Sequence, residues 1–282
     1  MKTHVRTRTP DQKSRALALH ALHAHPPLIL PNAWDPGSAV AIEAAGAKAI
    51  ATTSAGASWA AGVADGGGLD RAAALGALRR IVAAVSVPVT ADIESGYGAS
   101  PEEVGATVAE VLAAGAVGVN IEDSPGVRGE PLLDPEAQAE RLLAAREAAR
   151  AAGVELCVNA RTDTFLAGAG TEGERLADTM ARAERYAAAG ADVLFVPGVV
   201  DPTVIRTLVG GPLPVNVMAS PGAPAVAHLA ALGVARVSVG SAVAQAAYGL
   251  AAAAARELLG PGTYHSLEAA MEYGELNDLL RR

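Results

Sequence analysis

Five times the chain writes the same phrase: EAAGAKAIATT (43–53), LAAGAVGVNIED (112–123), RAAGVELCVNARTD (150–163), AAAGADVLFVPG (187–198) and AALGVARVSVG (230–240). Each is the end of an alanine-rich helix, one glycine, and then a short β-branched run. Glycine suits the left-handed cap of a helix, and the run that follows reads as a parallel strand buried on both faces. Adding PPLILPNAWD, SVPVTADIE and GPLPVNVMAS gives eight candidate strands, most of them separated by helical stretches around 70–84, 101–114, 136–152, 173–189 and 201–209. Ser100-Pro101, Asp134-Pro135 and Asp201-Pro202 each supply an N-cap followed by proline in the first turn, and Ser100 with Glu103 has capping-box spacing. Eight β/α alternations point to a (β/α)8 TIM barrel rather than a doubly wound sheet. We read one domain over residues 1–282, with a helical tail from about 257.

Composition narrows the classes of function. Hydrophobic residues make up 51% of the chain but aromatics only 3%, so the core must be built from Ala, Val, Leu and Ile. A net charge of −8 without a basic cluster argues against a nucleic-acid partner. The single cysteine, Cys157, excludes an intramolecular disulfide and fits a reducing cytoplasm. Val237–Ala255 carries no charge and is long enough to span a bilayer, but Ser238, Gly240, Ser241, Gln245 and Gly249 interrupt it. It reads as strand, turn and buried helix, and no membrane partner is expected. The N-terminal MKTHVRTRTPDQKSR has no apolar stretch behind its charges, so it does not read as a secretory signal.

A barrel places its chemistry at the C-terminal ends of its strands. Here those ends carry Asn32 to Asp35, Thr52 to Ser54, Asp92-Ile93-Glu94, Asn120 to Asp123, Asn159 to Asp163, Pro197-Gly198, Asn216 and Ser238. Asp92 and Glu94 stand two apart, which in a strand directs both to one side, and like charges that close need solvent, a shared proton or a cation. Glu122 follows at the next strand end, and Asp65, in the loop after the second strand, could reach the same volume. Several carboxylates with no histidine nearby select a hard cation, best Mg2+ with Mn2+ as the alternative, and Arg161 would balance the excess negative charge. Taken singly, each residue has a plainer role: a strand-end turn for Asp92 and Glu94, a loop cap for Glu122 and Asp123, a partner of Asp163 for Arg161. The six histidines (His4, His20, His23, His25, His228, His265) lie away from the strand ends, and DGGGLD (65–70) lacks the spacing of a phosphate loop.

The set TTSAGASWAAGVAD, ADIESGYG, GVNIEDS, NARTDTF and VNVMASPG resembles the isocitrate lyase/phosphoenolpyruvate mutase superfamily over nearly the whole chain. The resemblance implies a barrel whose last helix is exchanged between subunits, assembled as a homotetramer that is a dimer of dimers. It implies a Mg2+-dependent enzyme acting on a small 2-oxo acid or its enolate. It makes Asp92 the direct metal ligand, with Asp65, Glu94 and Glu122 holding the metal's waters. Thr53, Ser54, Ala55 and Arg161 would bind the substrate's carboxylate and oxo group, with Asn216 at a further strand end. Arg161, Glu122 and Asp65 would be the catalytic set. The family motif usually has Asp where Glu94 stands.

The loop after the fourth strand, SPGVRGEPLLDPE (124–136), departs from the family. It lacks the Lys-Lys/Arg-Cys-Gly-His motif of the isocitrate-type lyases, and Arg128 is its only basic residue, where phosphonopyruvate enzymes use Lys and Asn-Ser. The reaction that asks least of this loop is decarboxylation or C–C cleavage of a 2-oxo (di)carboxylic acid. The alternatives are phosphonopyruvate-type P–C mutase or hydrolase chemistry, and a 2-oxo-acid-binding protein without turnover.

Overall fold

The protein is described from a computed structural model over residues 11–125 and 130–281. The first half runs α1 (Gln12–His23), β1 (Leu28–Leu30), β2 (Asn32–Ala33), α2 (Pro36–Ala44), β3 (Ile50–Thr52), α3 (Ser54–Ala60), α4 (Arg71–Ala84), β4 (Val89–Asp92), α5 (Pro101–Ala113) and β5 (Gly118–Glu122). There follow α6 (Pro135–Ala152), β6 (Cys157–Arg161), α7 (Thr164–Ala167), α8 (Glu172–Ala188), β7 (Val193–Phe195), α9 (Pro202–Val209), β8 (Val215–Met218), α10 (Val226–Ala231), β9 (Arg236–Ser238), α11 (Ala242–Leu259) and α12 (Tyr273–Leu280). All pairings are parallel, and the strand order is β1-β9-β8-β7-β6-β5-β4-β3-β2. β1 and β2 are one stretch of chain interrupted at Pro31, β1 pairing with β9 and β2 with β3. That stretch closes the sheet, and the result is the expected (β/α)8 TIM barrel.

The punctuation read from sequence operates as expected. Gly46, Gly115, Gly153, Gly190 and Gly233, the glycines of the repeated phrase, all have positive φ. Asp134 accepts from the N–H of Glu136 at 2.9 Å, Asp201 from that of Thr203 at 2.7 Å, and Ser100 with Glu103 forms a reciprocal capping box.

The two faces of the sheet divide the labour. Arg236 of β9 donates from Nη2 to Oδ1 of Asn120 on β5 at 3.3 Å, and these strands are not neighbours, so the bond crosses the barrel interior. Strand alternation then turns Gly118 and Glu122 inward with Asn120, and Val119 and Ile121 outward to the helices, where both are fully buried. Asn159 Nδ2 donates to the same Asn120 oxygen at 2.7 Å. The apolar core lies between sheet and helices, including Leu78 and Ile81 of α4, Val104, Val108 and Val111 of α5, and Leu142 of α6. Inside the barrel lies a polar group of Asn120, Asn159 and Arg236. Gly118 makes room for them: a Cβ there would stand 2.7 Å from Thr90 Oγ1.

One reading from sequence is corrected. The uncharged run 237–255 is strand, turn and helix, but the helix is not buried: in α11 only Ala244 is buried, while Tyr248, Leu250, Leu258 and Leu259 are exposed. Alanine makes this helix uncharged without requiring burial. No helix among the described residues is long and apolar enough to cross a membrane. In the tail, α12 lies against α2 of its own chain.

Candidate active site

Asp92 and Glu122 end β4 and β5 at the C-terminal side of the barrel, but Glu94 is not aimed by the geometry the sequence suggested. β4 stops at Asp92, Ile93 turns into the core, and Glu94 takes φ +50°, so strand alternation does not align Asp92 with Glu94. Glu94 is instead held from outside the strand. Its Oε1 accepts from the Tyr97 hydroxyl at 3.0 Å and its Oε2 from the Gly67 N–H at 3.2 Å. DGGGLD is thus a turn that pins Glu94. At Gly68 within it a Cβ would meet the Ala64 carbonyl at 2.1 Å, so only glycine fits. Tyr97 also has positive φ, and Arg141 of α6 braces its loop by donating to the carbonyls of Ser95, Gly98 and Ala99.

Asp92 is fixed by the chain that follows β3. Its Oδ2 accepts from both the N–H and the hydroxyl of Ser54, at 2.9 and 2.8 Å, and its own N–H donates to Thr52 Oγ1 at 2.8 Å. Both Ser54 bonds fall on Oδ2, leaving Oδ1 for a ligand. Thr53 caps α3 by accepting from the Gly56 N–H, and Ala55 is buried in that helix's first turn. Ser54, expected to touch substrate, therefore also holds the acid.

The carboxylates perturb one another. Glu122 is buried, and that burial pushes its pKa up to about 8; Arg161 opposes the shift, while Asp163, Asp92 and Glu94 reinforce it. Burial likewise raises Glu94, against the Tyr97 hydrogen bond and with the charges of Asp92 and Asp65. Asp65 stands on an exposed loop. Partial burial raises its pKa, the Gly66 N–H lowers it, and Asp92 raises it further. The charge of Asp92 thus acts on all three of the others.

Arg161 is the cation among them. Its Nη1 lies 2.7 Å from Glu122 Oε2, while Nε and Nη2 donate to the two oxygens of Asp163 at 2.6 and 2.8 Å. The guanidinium also sits 5.8 Å from the centre of the Phe195 ring. Burial works against its charge, but Glu122 and Asp163 outweigh that and hold its pKa above the ordinary arginine value. Among the described residues three of its five N–H groups are engaged, which leaves two on the Nη atoms to meet a ligand. The partnership with Asp163 and a place beside the acids, weighed from sequence as competing roles, coexist. Asn216 of β8 is in register with Phe195, which is in register with Arg161. It is buried in the barrel, accepts from Ser238 Oγ at 3.2 Å, and keeps an unpartnered Nδ2.

Among the described residues, no three His, Cys, Asp or Glu side chains are already gathered into a cage for an ion. The donor set at the strand ends is nonetheless all oxygen and mutually repulsive, which fits a hard divalent cation that retains much of its water. Arg128 of the loop after β5 and His4 lie outside the described residues. Sequence reasoning passed over Tyr97, Arg141, Phe195, Arg182 and Tyr186. Only Tyr97, inside the quoted SGYG, carried a local signal.

A (β/α)8 barrel with acids and an arginine converging at the C-terminal strand ends belongs to the catalytic kind. The profile of the phosphoenolpyruvate phosphomutase family matches residues 19–259. An uncharacterized protein of Mycobacterium tuberculosis is 38% identical over 262 residues, 92% of this chain and 95% of that one. A solved structure from Burkholderia cenocepacia, provisionally described as a lyase/mutase, is 40% identical with a TM-score of 0.89, covering 96% of this chain and 98% of that one. Oxaloacetate decarboxylase of Rhodopseudomonas palustris is 37% identical over 128 residues, 43% of this chain and 41% of its own. The chain belongs to the isocitrate lyase/phosphoenolpyruvate mutase superfamily, a group of lyases and mutases, and is an enzyme of that group.

Proposed function

We propose that the enzyme is a Mg2+-dependent lyase or decarboxylase that cleaves a C–C bond in a small 2-oxo (di)carboxylic acid. The observation that carries this reading is the placement of three held acids at neighbouring strand ends: Asp92 held by Ser54, Glu94 held by Tyr97 and Gly67, and Glu122 paired with Arg161. Asp92 would hold the ion directly through its free oxygen, and Asp65, Glu94 and Glu122 through water. A bound Mg2+ supplies Lewis acidity toward the substrate's 2-oxo oxygen.

The chain's own residues do the rest. Breaking the bond between the carbon next to the 2-oxo group and the departing group, β to the carbonyl, leaves an electron pair that must be delocalised as enolate. The two free N–H groups of Arg161 can receive a substrate carboxylate or stabilise that growing negative charge, which is where stabilisation accelerates a reaction. Asp163 and Phe195 keep the guanidinium in place, so little reorganisation is needed. Ser54 fixes Asp92, and Tyr97 with Gly67 fixes Glu94, so these two acids are held apart from the Arg161–Glu122 pair. Departure of CO2 needs no proton donor from the loop after β5, which favours decarboxylation. The partial similarity to oxaloacetate decarboxylase supports the same choice.

The family match to a phosphomutase keeps a P–C reaction on a phosphonopyruvate-like acid as the second reading. Phosphate release would mark the hydrolase form of that reading, rearrangement without phosphate release would mark the mutase form, and binding without turnover would leave a 2-oxo-acid-binding protein. We also infer a cytoplasmic homotetramer, a dimer of dimers with the C-terminal helix exchanged. It is supported by the exposed apolar side chains of the C-terminal region, among them Leu259 (86%), Tyr273 (85%) and Tyr264 (68%). Calorimetry with oxalate or pyruvate tests the metal assignment: Mg2+ should be required, and Asp92→Ala should abolish binding. Equal affinity in the variant would remove Asp92 from the metal site.

A further inference from the structure

Asp163 caps α7 by position, yet its carboxylate makes no cap bond, because both oxygens are spent on Arg161. What fixes Asp163 is the fully buried Asp123. Its Oδ1 accepts from the Asp163 N–H at 3.0 Å, and its own N–H donates to the Arg161 carbonyl at 3.2 Å. Asp123 is held in turn from α8. Its Oδ2 accepts from Arg182 Nη1 at 3.0 Å and from the Tyr186 hydroxyl at 2.8 Å. Arg182 and Tyr186, four apart, share one face of that helix. Arg182 Nη1 also donates to the Leu133 carbonyl at 2.8 Å, while the Leu133 N–H donates to the Asp123 carbonyl at 2.9 Å. The returning end of the loop after β5 is thus fastened to Arg182 and to the backbone of Asp123, whose carboxylate fixes Asp163.

We propose that Arg182 and Tyr186, acting through Asp123, are positioning residues for Arg161. They set the clamp in which its guanidinium meets the substrate, and they anchor the loop end at Leu133 to that clamp. The functional half of this rests on Arg161 binding the substrate's carboxylate, the reading given above. The positional half stands on the hydrogen-bond chain alone. A buried acceptor shared by two donors keeps one orientation, and a guanidinium held to a fraction of an ångström binds carboxylate without losing further freedom.

The test uses the full-length 15N-labelled enzyme, with the Arg161 Nε–H resonance assigned by its loss in Arg161→Lys. Tyr186→Phe removes one hydroxyl and is the mild variant. Arg182→Lys keeps the charge but loses the fork that reaches Asp123 and Leu133 together. Exchange of the Arg161 Nε–H with solvent should accelerate on the order of tenfold in Tyr186→Phe, and more in Arg182→Lys. Oxalate affinity measured with Mg2+ should fall by a similar factor, while Mg2+ affinity stays at the wild-type value. Unchanged exchange in both variants, with only a lower melting temperature, would overturn the proposal and leave the network purely structural. Accelerated exchange in an enzyme whose wild type binds no oxalate would uphold the positioning and overturn the carboxylate-binding role of Arg161.

Discussion

Two buried arginines should respond in opposite ways to the same substitution. Arg182 is paired with Asp123, which is fully buried, and with Asp178. Arg236 is also fully buried, but its Nε and Nη1 have no partner, and burial depresses its pKa to about 10. Arg182→Met leaves the Asp123 carboxylate inside the protein without a cation. Breaking a buried pair in this way costs about 3–5 kcal/mol. For a chain of this size that is a fall of roughly 10 °C in the unfolding midpoint. Arg236→Met instead removes a charge that burial already disfavours and replaces it with an apolar chain of similar length. Its midpoint should stay level or rise.

The pH dependence gives the first variant a further signature. Burial raises the Asp123 pKa, opposed by hydrogen bonds and by Arg182. Removing Arg182 must raise it more. A carboxyl whose folded pKa lies above its unfolded value stabilises the fold below the unfolded pKa and loses that contribution as pH rises through the folded one. The deficit of Arg182→Met relative to wild type should therefore be larger at pH 8 than at pH 5. Urea unfolding followed by circular dichroism at the two pH values measures it. Equal losses for Arg182→Met and Arg236→Met, with no pH dependence, would refute the claim that pairing decides the energetics of these arginines.

Other expectations follow from the same coordinates. Mg2+ should raise the melting temperature of the wild type more at pH 8.5 than at pH 6, because a proton bound by Glu122, whose pKa is pushed up to about 8, competes with the ion. A scanning-fluorimetry series checks this, and Asp92→Ala should flatten it. The Cys157 thiol is buried and its pKa is pushed up to about 12, so Ellman's reagent at pH 8 should label it only after denaturant is added. Gly118→Ala should cost about 1–3 kcal/mol in chemical denaturation, since its Cβ would meet Thr90 Oγ1 and the Cys157 carbonyl. Light scattering at micromolar concentration should return a tetramer; a monomer would remove the helix-exchange proposal.

Much of the barrel was legible because its signals are local. A glycine after an alanine-rich helix and a β-branched run behind it fix element type without reference to the rest of the chain, and Ser100, Asp134 and Asp201 marked helix starts for the same reason. The site was legible only in outline. Counting along strands located Asp92, Glu122 and Arg161, but it misjudged how Glu94 is aimed, because a turn at φ +50° replaces the strand there. The residues that hold the site together could not be seen from their own neighbourhoods. Arg182 and Tyr186 look like ordinary positions of an amphipathic helix until the fold brings Asp123, 59 and 63 positions away in sequence, against them. The exposed face of α11 escaped notice because alanine is equally at home inside and outside a protein.

The most direct test of the central claim is a proton NMR time course of oxaloacetate with Mg2+, run for the wild type, Asp92→Ala and a blank without enzyme. The blank is needed because Mg2+ alone promotes this decarboxylation. The account predicts that pyruvate forms faster than the blank with the wild type and at the blank rate with Asp92→Ala. Pyruvate formation at one rate in all three would contradict decarboxylation at this site.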